Sequence, residues 1–214
     1  MPDVYRQYFK EGCVYCAKTG FNIQGMMKRL FIAVPICEKS RTDIAGKILS
    51  NTALRQMPVR WTAVQNLHLT LQFLGDTEEK RIQEIKRIMD NCRTCSEAEK
   101  LCFSSAGAFP ARNSPRILWI GFMNNEYLQI IHRDLTAGLN AAGFSVDNKK
   151  FKPHLTLGRV KDQTECPPDL FTVYKNVADS AEISDSPLDR ITLFESFLRP
   201  GGSVYTALYD KMLV

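Results

Sequence analysis

The 214-residue chain has only three histidines and two tryptophans. It also contains no apolar run near the ~20 residues that a membrane-spanning helix requires. Leu30 to Ile36 is apolar but short, which suits a strand and excludes a helical membrane span. The opening residues, MPDVYRQYFKEGCVYCAK, include acids and no apolar stretch, which excludes a secretory signal peptide. A cytoplasmic protein with no membrane partner is therefore expected. Neither sign of charge dominates: 28 Lys and Arg stand against 23 Asp and Glu, a net +5 with pI near 8.8. That balance permits an anionic partner such as RNA but lacks the basic patch of a tight nucleic-acid binder. Lys149, Lys150 and Lys152 are a small local exception. Seven cysteines, an odd count in a chain without secretory features, point to reduced thiols. Cys13/Cys16 and Cys92/Cys95 are Cys-x-x-Cys pairs that together could form a four-thiolate zinc site. The long separation of the pairs and the absence of ribbon-like flanking turns favour free thiols instead.

What the chain does have is a repeated tetrapeptide. His-Leu-Thr-Leu occurs at His68–Leu71 and again at His154–Leu157, using two of the three histidines. Successive strand side chains point to opposite faces. Each copy is therefore a strand with a leucine back and a front carrying one imidazole and one hydroxyl. Two such fronts meeting in one cleft would supply two groups for proton transfer and two hydroxyl donors for an anion. Cleaving a phosphodiester needs a base for the attacking oxygen and an acid for the leaving oxygen. Histidine, with an unperturbed pKa near 6.5, can do either. Threonine hydroxyls can hold non-bridging oxygens without adding charge.

The 44% apolar composition is enough for one domain or two small, intimate lobes. No low-complexity region or long linker interrupts it. Residues 1–26 lack clear periodicity and read as an N-terminal extension; residues 27–214 read as a single bilobal domain. The pattern predicts a strand at Leu30–Val34 and a helix over about 38–56, with Ile44, Ile48 and Leu49 on one face. The first motif strand is expected to end at Gly75, with Asp76 and Glu79 capping a helix that runs to about Asn91. Two strands near 101–109 and 116–122 follow. A helix over about 125–142 then carries Leu128, Ile131, Leu135 and Leu139 at helical spacing, with Gly143 ending it. The second motif strand, a short helix to about Tyr174, and strands at about 189–197 and 204–212 complete the chain. The recurring order of strand, helix, motif strand and helix suggests two related lobes with the motif strands near a shared cleft.

At the residue level the chain resembles the two-histidine phosphoesterase superfamily, defined by two His-x-Thr/Ser-x motifs lining a cleft. The runs Asn66–Gly75, Pro115–Gly121 and Phe151–Arg159, the opening strand from Lys28 to Pro35, and Glu195-Ser196, Pro200-Gly201-Gly202 and Tyr205 resemble the bacterial and archaeal branch known as RNA 2′,3′-cyclic phosphodiesterases, or 2′-5′ RNA ligases. The likeness covers about residues 27–213; the N-terminal residues depart from it. It implies an α+β fold of two pseudo-symmetric lobes, each an antiparallel sheet backed by helices, with a central cleft. It also implies hydrolysis of RNA 2′,3′-cyclic phosphate ends to 2′-phosphates by a monomer that needs no cofactor and no metal. The family name adds 2′-5′ ligation, the reverse sense of related chemistry. His68 is implied as proton donor to the departing 3′ oxygen and His154 as the acceptor that activates water, although the symmetric motifs do not themselves fix that order. Thr70 and Thr156 would hold phosphate oxygens. Arg159 would pair with phosphate or stand as a solvated strand-end charge. Phe151 would stack on the terminal base or pack in the core. Trp119 and Phe73 are expected in the core, and His132 on an ordinary helix face. The competing readings are a phosphodiesterase for 2′-5′ oligoadenylate or another cyclic nucleotide phosphate, and an RNA- or nucleotide-binding module without turnover.

Overall fold

The apolar run that opens the domain forms β1 (Met27–Pro35), whose residues 30–34 are all buried, as befits a strand covered on both faces. In this computed structural model the described residues are 26–95, 97, 99–111, 114–123, 126–146, 150–161, 166–200 and 202–214. The expected extension, apart from Met26, lies outside them. The remaining strands are β2 (Val59–Trp61), β3 (His68–Glu78), β4 (Lys100–Leu101), β5 (Phe103–Ala111), β6 (Ser114–Phe122), β7 (His154–Val160), β8 (Ser186–Pro187), β9 (Arg190–Arg199) and β10 (Gly202–Met212). The helices are α1 (Glu38–Ile44), α2 (Thr52–Arg55), α3 (Ile82–Asp90), α4 (Glu126–Ala141) and α5 (Leu170–Asp179).

The main sheet has the order β10-β9-β1-β3-β7-β6-β5, with β2 also pairing to β7, and among the described residues its pairings are antiparallel. Its middle is thin. β3 and β7 share one register pair, Leu69 with Leu155. The sheet therefore divides there into two lobes, β10-β9-β1-β3 and β7-β6-β5 with β2, in agreement with the α+β expectation. Two repeats are visible in the order β1-α1-β3-α3 and β6-α4-β7-α5. The second repeat lends its first helix to the other lobe. α4 packs on α3 and under β3, whereas α5 packs on β5 and on the turn that follows α1. Leu128, Ile131, Leu135 and Leu139 are the buried residues of α4, as their spacing predicts.

Three elements depart from the sequence-based expectation. The 38–56 helix is interrupted: a π-helical turn at Ala45–Leu49 follows α1, and Asn51 then starts α2 by accepting from the Ala53 and Leu54 N–H groups at 3.1 and 3.3 Å. β3 does not stop at Gly75 but runs to Glu78, because β1 continues to pair with it as far as Met27 opposite Glu78. Gly75 instead sits at a bulge with φ of 65°. The Asp76/Glu79 cap therefore does not form, and a 3-10 turn at Glu79–Arg81 leads into α3 without a side-chain cap. α5 extends five residues past Tyr174, to Asp179. The short β4–β8 pair was not anticipated.

Candidate active site

The site is built on the single rung between the lobes. With Leu69 opposite Leu155 in an antiparallel pair, His68 comes opposite Thr156 and Thr70 opposite His154. Both leucines are fully buried, so all four polar residues share the other face. The two histidines are diagonal neighbours, a relation that places side chains about 7–8 Å apart at their origins. A phosphate between them is thus within reach of both rings. Among the described residues the Thr70 and Thr156 hydroxyls hold no hydrogen bond and are free to donate.

The two motif strands match beyond the tetrapeptide. Residues 68–74 and 154–160 have the same succession of burial, in which alternation slips after the second leucine. The pairings explain the slip. Ile32 pairs Gln72 while Ala33 pairs Thr70, and Leu118 pairs Gly158 while Trp119 pairs Thr156, so Leu71 and Leu157 are the extra residues of matching bulges. A bulge reverses which face the next residues take. Arg159 is consequently exposed on the histidine side, and its charge acts on His154. Phe73, expected in the core, is brought out by the equivalent bulge and is 62% exposed. Trp119 is buried as expected.

Each imidazole is held in the same way. Nδ1 of His68 donates to the Asn66 carbonyl at 2.6 Å, and Nδ1 of His154 donates to the Lys152 carbonyl at 2.7 Å. A carbonyl only accepts, so Nδ1 keeps its proton in both charge states and Nε2 is the nitrogen that gains or loses one. Aromatic rings steady the outer faces. Tyr205 meets His68 edge-on with centroids 5.3 Å apart, and Phe31 lies 5.0 Å away. Phe109 meets His154 edge-on at 4.8 Å, and Trp119 lies 6.3 Å away. Lys152 extends its ammonium over the Trp119 ring, 4.3 Å from the centroid.

Burial pushes the His68 imidazole below its ordinary range; the Asn66 carbonyl opposes this, and a charge on His154 adds to it. Burial likewise lowers His154, against the Lys152 carbonyl, and the Lys152 and Arg159 cations lower it further. The site thus disfavours two imidazolium ions at once, as an acid–base pair sharing one proton requires.

The sequence model of the 2′-5′ RNA ligase superfamily matches residues 53–196. A protein of Thermotoga maritima named RNA 2′,3′-cyclic phosphodiesterase is 33% identical over 184 residues, 85% of this chain and 94% of its own length. This chain belongs to the 2′-5′ RNA ligase superfamily. A Methanocaldococcus jannaschii protein of the same name is 30% identical over 85% of this chain and 99% of its own. The fold agrees. A crystal structure of a Thermus thermophilus protein superposes with a TM-score of 0.68 at 26% identity, covering 86% of this chain and 97% of that one. Escherichia coli LigT complexed with 3′-AMP gives a TM-score of 0.71 at 24% identity, covering 88% and 99%.

Other residues weighed in this superfamily member fall away from the histidine pair. Phe151 stacks face to face on His132 of α4, with centroids 3.9 Å apart and planes 7° apart, and its ring contact is with that helix residue, not with His68 or His154. His132 is half-buried, and the Gln72 amide donates both to its Nε2 at 3.2 Å and to the Thr136 hydroxyl at 2.6 Å. Cys92 is buried, and that burial pushes its thiol up to about 12. Cys13, Cys16 and Lys149 lie outside the described residues. Among the described residues no cluster of His, Cys, Asp and Glu could hold a metal ion, and no helix is long and apolar enough to cross a membrane. Sequence reasoning missed the aromatic collar. Phe31 and Phe109 lie far from the motifs in sequence, and only their strand pairings bring them to the histidines.

Proposed function

We propose that this chain acts as a cytoplasmic monomer of residues 27–214 that hydrolyses RNA 2′,3′-cyclic phosphate ends to 2′-phosphates by metal-independent acid–base catalysis. The observation that carries the reading is the pair of imidazoles flanking one rung, each with Nδ1 tied to a carbonyl and Nε2 left for chemistry. The relatives named RNA 2′,3′-cyclic phosphodiesterase support the substrate. In this reading His154 accepts a proton from water through Nε2 as the water oxygen bonds to phosphorus. The P–O3′ bond breaks, and His68 gives its Nε2 proton to the departing O3′. The 2′-phosphate and a 3′-hydroxyl remain.

Charge supports this order of roles. Burial first, and then the Lys152 and Arg159 cations, lower His154 and favour the neutral form that a base needs. The charge acting on His68 is that of His154, which vanishes when His154 is neutral. In this reading the single proton beside an anionic phosphate sits on His68. Thr70 and Thr156 donate to non-bridging oxygens, and Arg159 neutralises charge through its planar fork. Phe151, stacked on His132, is left out of the binding set. With a 5′-hydroxyl attacking phosphorus in place of water, the same displacement would form a P–O5′ bond as P–O3′ breaks and so give 2′-5′ ligation.

The test is incubation of a short RNA bearing a 2′,3′-cyclic phosphate in excess EDTA, with the product phosphate located. A 2′-phosphate formed at an undiminished rate is expected. Loss of turnover in EDTA, restored to folded protein by added zinc, magnesium or manganese, would end the two-histidine mechanism. Turnover confined to 2′-5′ oligoadenylate would keep the chemistry and replace the substrate.

A further inference from the structure

A groove of about 680 Å³ opens beside His68, a volume within the ~300–1,000 Å³ usual for sites that enclose small ligands. Its lining includes His68, Phe194 and Tyr205, together with Arg41 of α1 and Arg199 at the end of β9. The Asn66 side chain donates to the Ser203 carbonyl at 2.7 Å and ties two parts of that lining together. Arg41 is half-buried and Arg199 exposed. Among the described residues neither guanidinium has a carboxylate partner. A partly buried cation without a counter-charge is costly unless a ligand brings one. The groove is also one-sided: none of its lining residues comes from β2, β5, β6 or β7. The corresponding flank of His154 is occupied by Trp119 and Phe109, with Lys152 over the indole.

This asymmetry matters because displacement at phosphorus runs in line, with the attacking and leaving oxygens on opposite sides. The leaving O3′ belongs to the ribose, so the whole nucleoside and the RNA chain behind it lie on the side of the acid. Water needs little room on the side of the base. We infer that the groove beside His68 seats the terminal nucleoside and the phosphodiester on its 5′ side, and that Arg41 and Arg199 bind that phosphodiester. The inference rests on the hydrolase reading above and on His68 serving the leaving oxygen. It makes the enzyme a reader of chain ends. A nucleoside 2′,3′-cyclic phosphate offers the reacting group but nothing to the two arginines, whereas a dinucleotide with the same end offers both.

The experiment compares kcat/KM for a dinucleotide and a mononucleoside 2′,3′-cyclic phosphate carrying the same terminal base. The ratio in the wild-type protein is expected to be roughly tenfold to a hundredfold in favour of the dinucleotide, the size of one or two charge-assisted contacts. Arg41→Gln and Arg199→Gln should each lower that ratio, and the double variant should bring it close to one. Arg87→Gln, at an exposed position of α3, should leave the ratio as it is. Circular dichroism and melting confirm that the variants fold. A wild-type ratio near one, or a preference that survives in the double variant, overturns the inference. If neither substrate turns over, the hydrolase reading falls instead. The groove is then judged by dissociation constants for the dinucleotide and mononucleotide 2′-phosphates: an arginine-dependent advantage for the dinucleotide supports it, and equal binding removes it.

Discussion

Proton placement governs what each histidine can do, and both are held below their ordinary range by burial. The free enzyme's acid and base therefore titrate below about 6.5. The bell in kcat/KM should peak on the acid side of pH 6.5, with apparent values belonging to the pair. The kcat profile should sit higher, because bound anionic phosphate favours the imidazolium. An optimum of kcat/KM above pH 7 would contradict the burial seen here. Lys152 supplies a sharper check. Its ammonium disfavours protonation of His154, so Lys152→Met should raise the pKa of the base and move the acid limb to higher pH; a limb that stays put would remove Lys152 from the site. Replacing His68 or His154 with alanine should each cost about 10²–10⁴ in turnover. His132→Ala should leave turnover near wild type while loosening the stack with Phe151, and a loss equal to either motif variant would mean that the site has been misassigned.

Elements decide which of these residues could be read in advance. The duplicated His-Leu-Thr-Leu was legible because alternation on a strand depends only on sequence order, and the leucine stripe of α4 because helical spacing does too. The bulges at Leu71 and Leu157 were not legible. Each is a mismatch between two strands, and a single sequence gives no register. Alternation read straight through sent Phe73 to the core, whereas the bulge turns it out, and the same shift brings Arg159 to the histidine side. The π-helical turn after α1 and the extension of β3 past Gly75 are tertiary effects of the same kind, set by pairing and packing partners. One cross-strand contact can be tested directly. Gly107 lies opposite Trp119, and a Cβ there would stand 2.2 Å from the indole ring. The ring has little freedom to withdraw, with Phe109 and His154 against it and Lys152 over it. Gly107→Ala should cost about 1–3 kcal/mol of stability, the usual range for overpacking. It should also lower kcat/KM by displacing the support of His154. Denaturant titration and kinetics on the same protein check both, and an unchanged kcat/KM would show that Trp119 does not position the histidine.

Across the whole molecule, the cost of carrying two unprotonated imidazoles in one cleft should appear as a pH-dependent loss of stability. An unfolded chain takes up protons at its histidines near pH 6.5, whereas the folded chain resists to lower pH at His68, His154 and His132. In that window the unfolded state binds more protons, so stability is intact above about 6.5 and falls as the pH drops through it. The carboxylate held lowest by its neighbours responds elsewhere. Asp43 is kept at about 2 by the Ser184 hydroxyl and N–H and by Lys47, so its contribution is present above its ordinary 3.8 and lost only between there and about 2. The melting temperature should therefore decline between pH 7 and pH 5 for reasons that lie chiefly in the histidines. Inorganic phosphate should oppose the decline, and its stabilising increment should be larger at pH 5.5 than at pH 7, because an anion between the rings favours the imidazolium that burial disfavours. In a His68→Gln, His154→Gln double variant the decline should shrink to the part owed to His132 and the phosphate increment should disappear. Melting curves over that pH range, with and without phosphate, decide the matter. A double variant that keeps the full decline and the full increment would locate both the buried titration and the anion site away from the strand pair that joins the lobes.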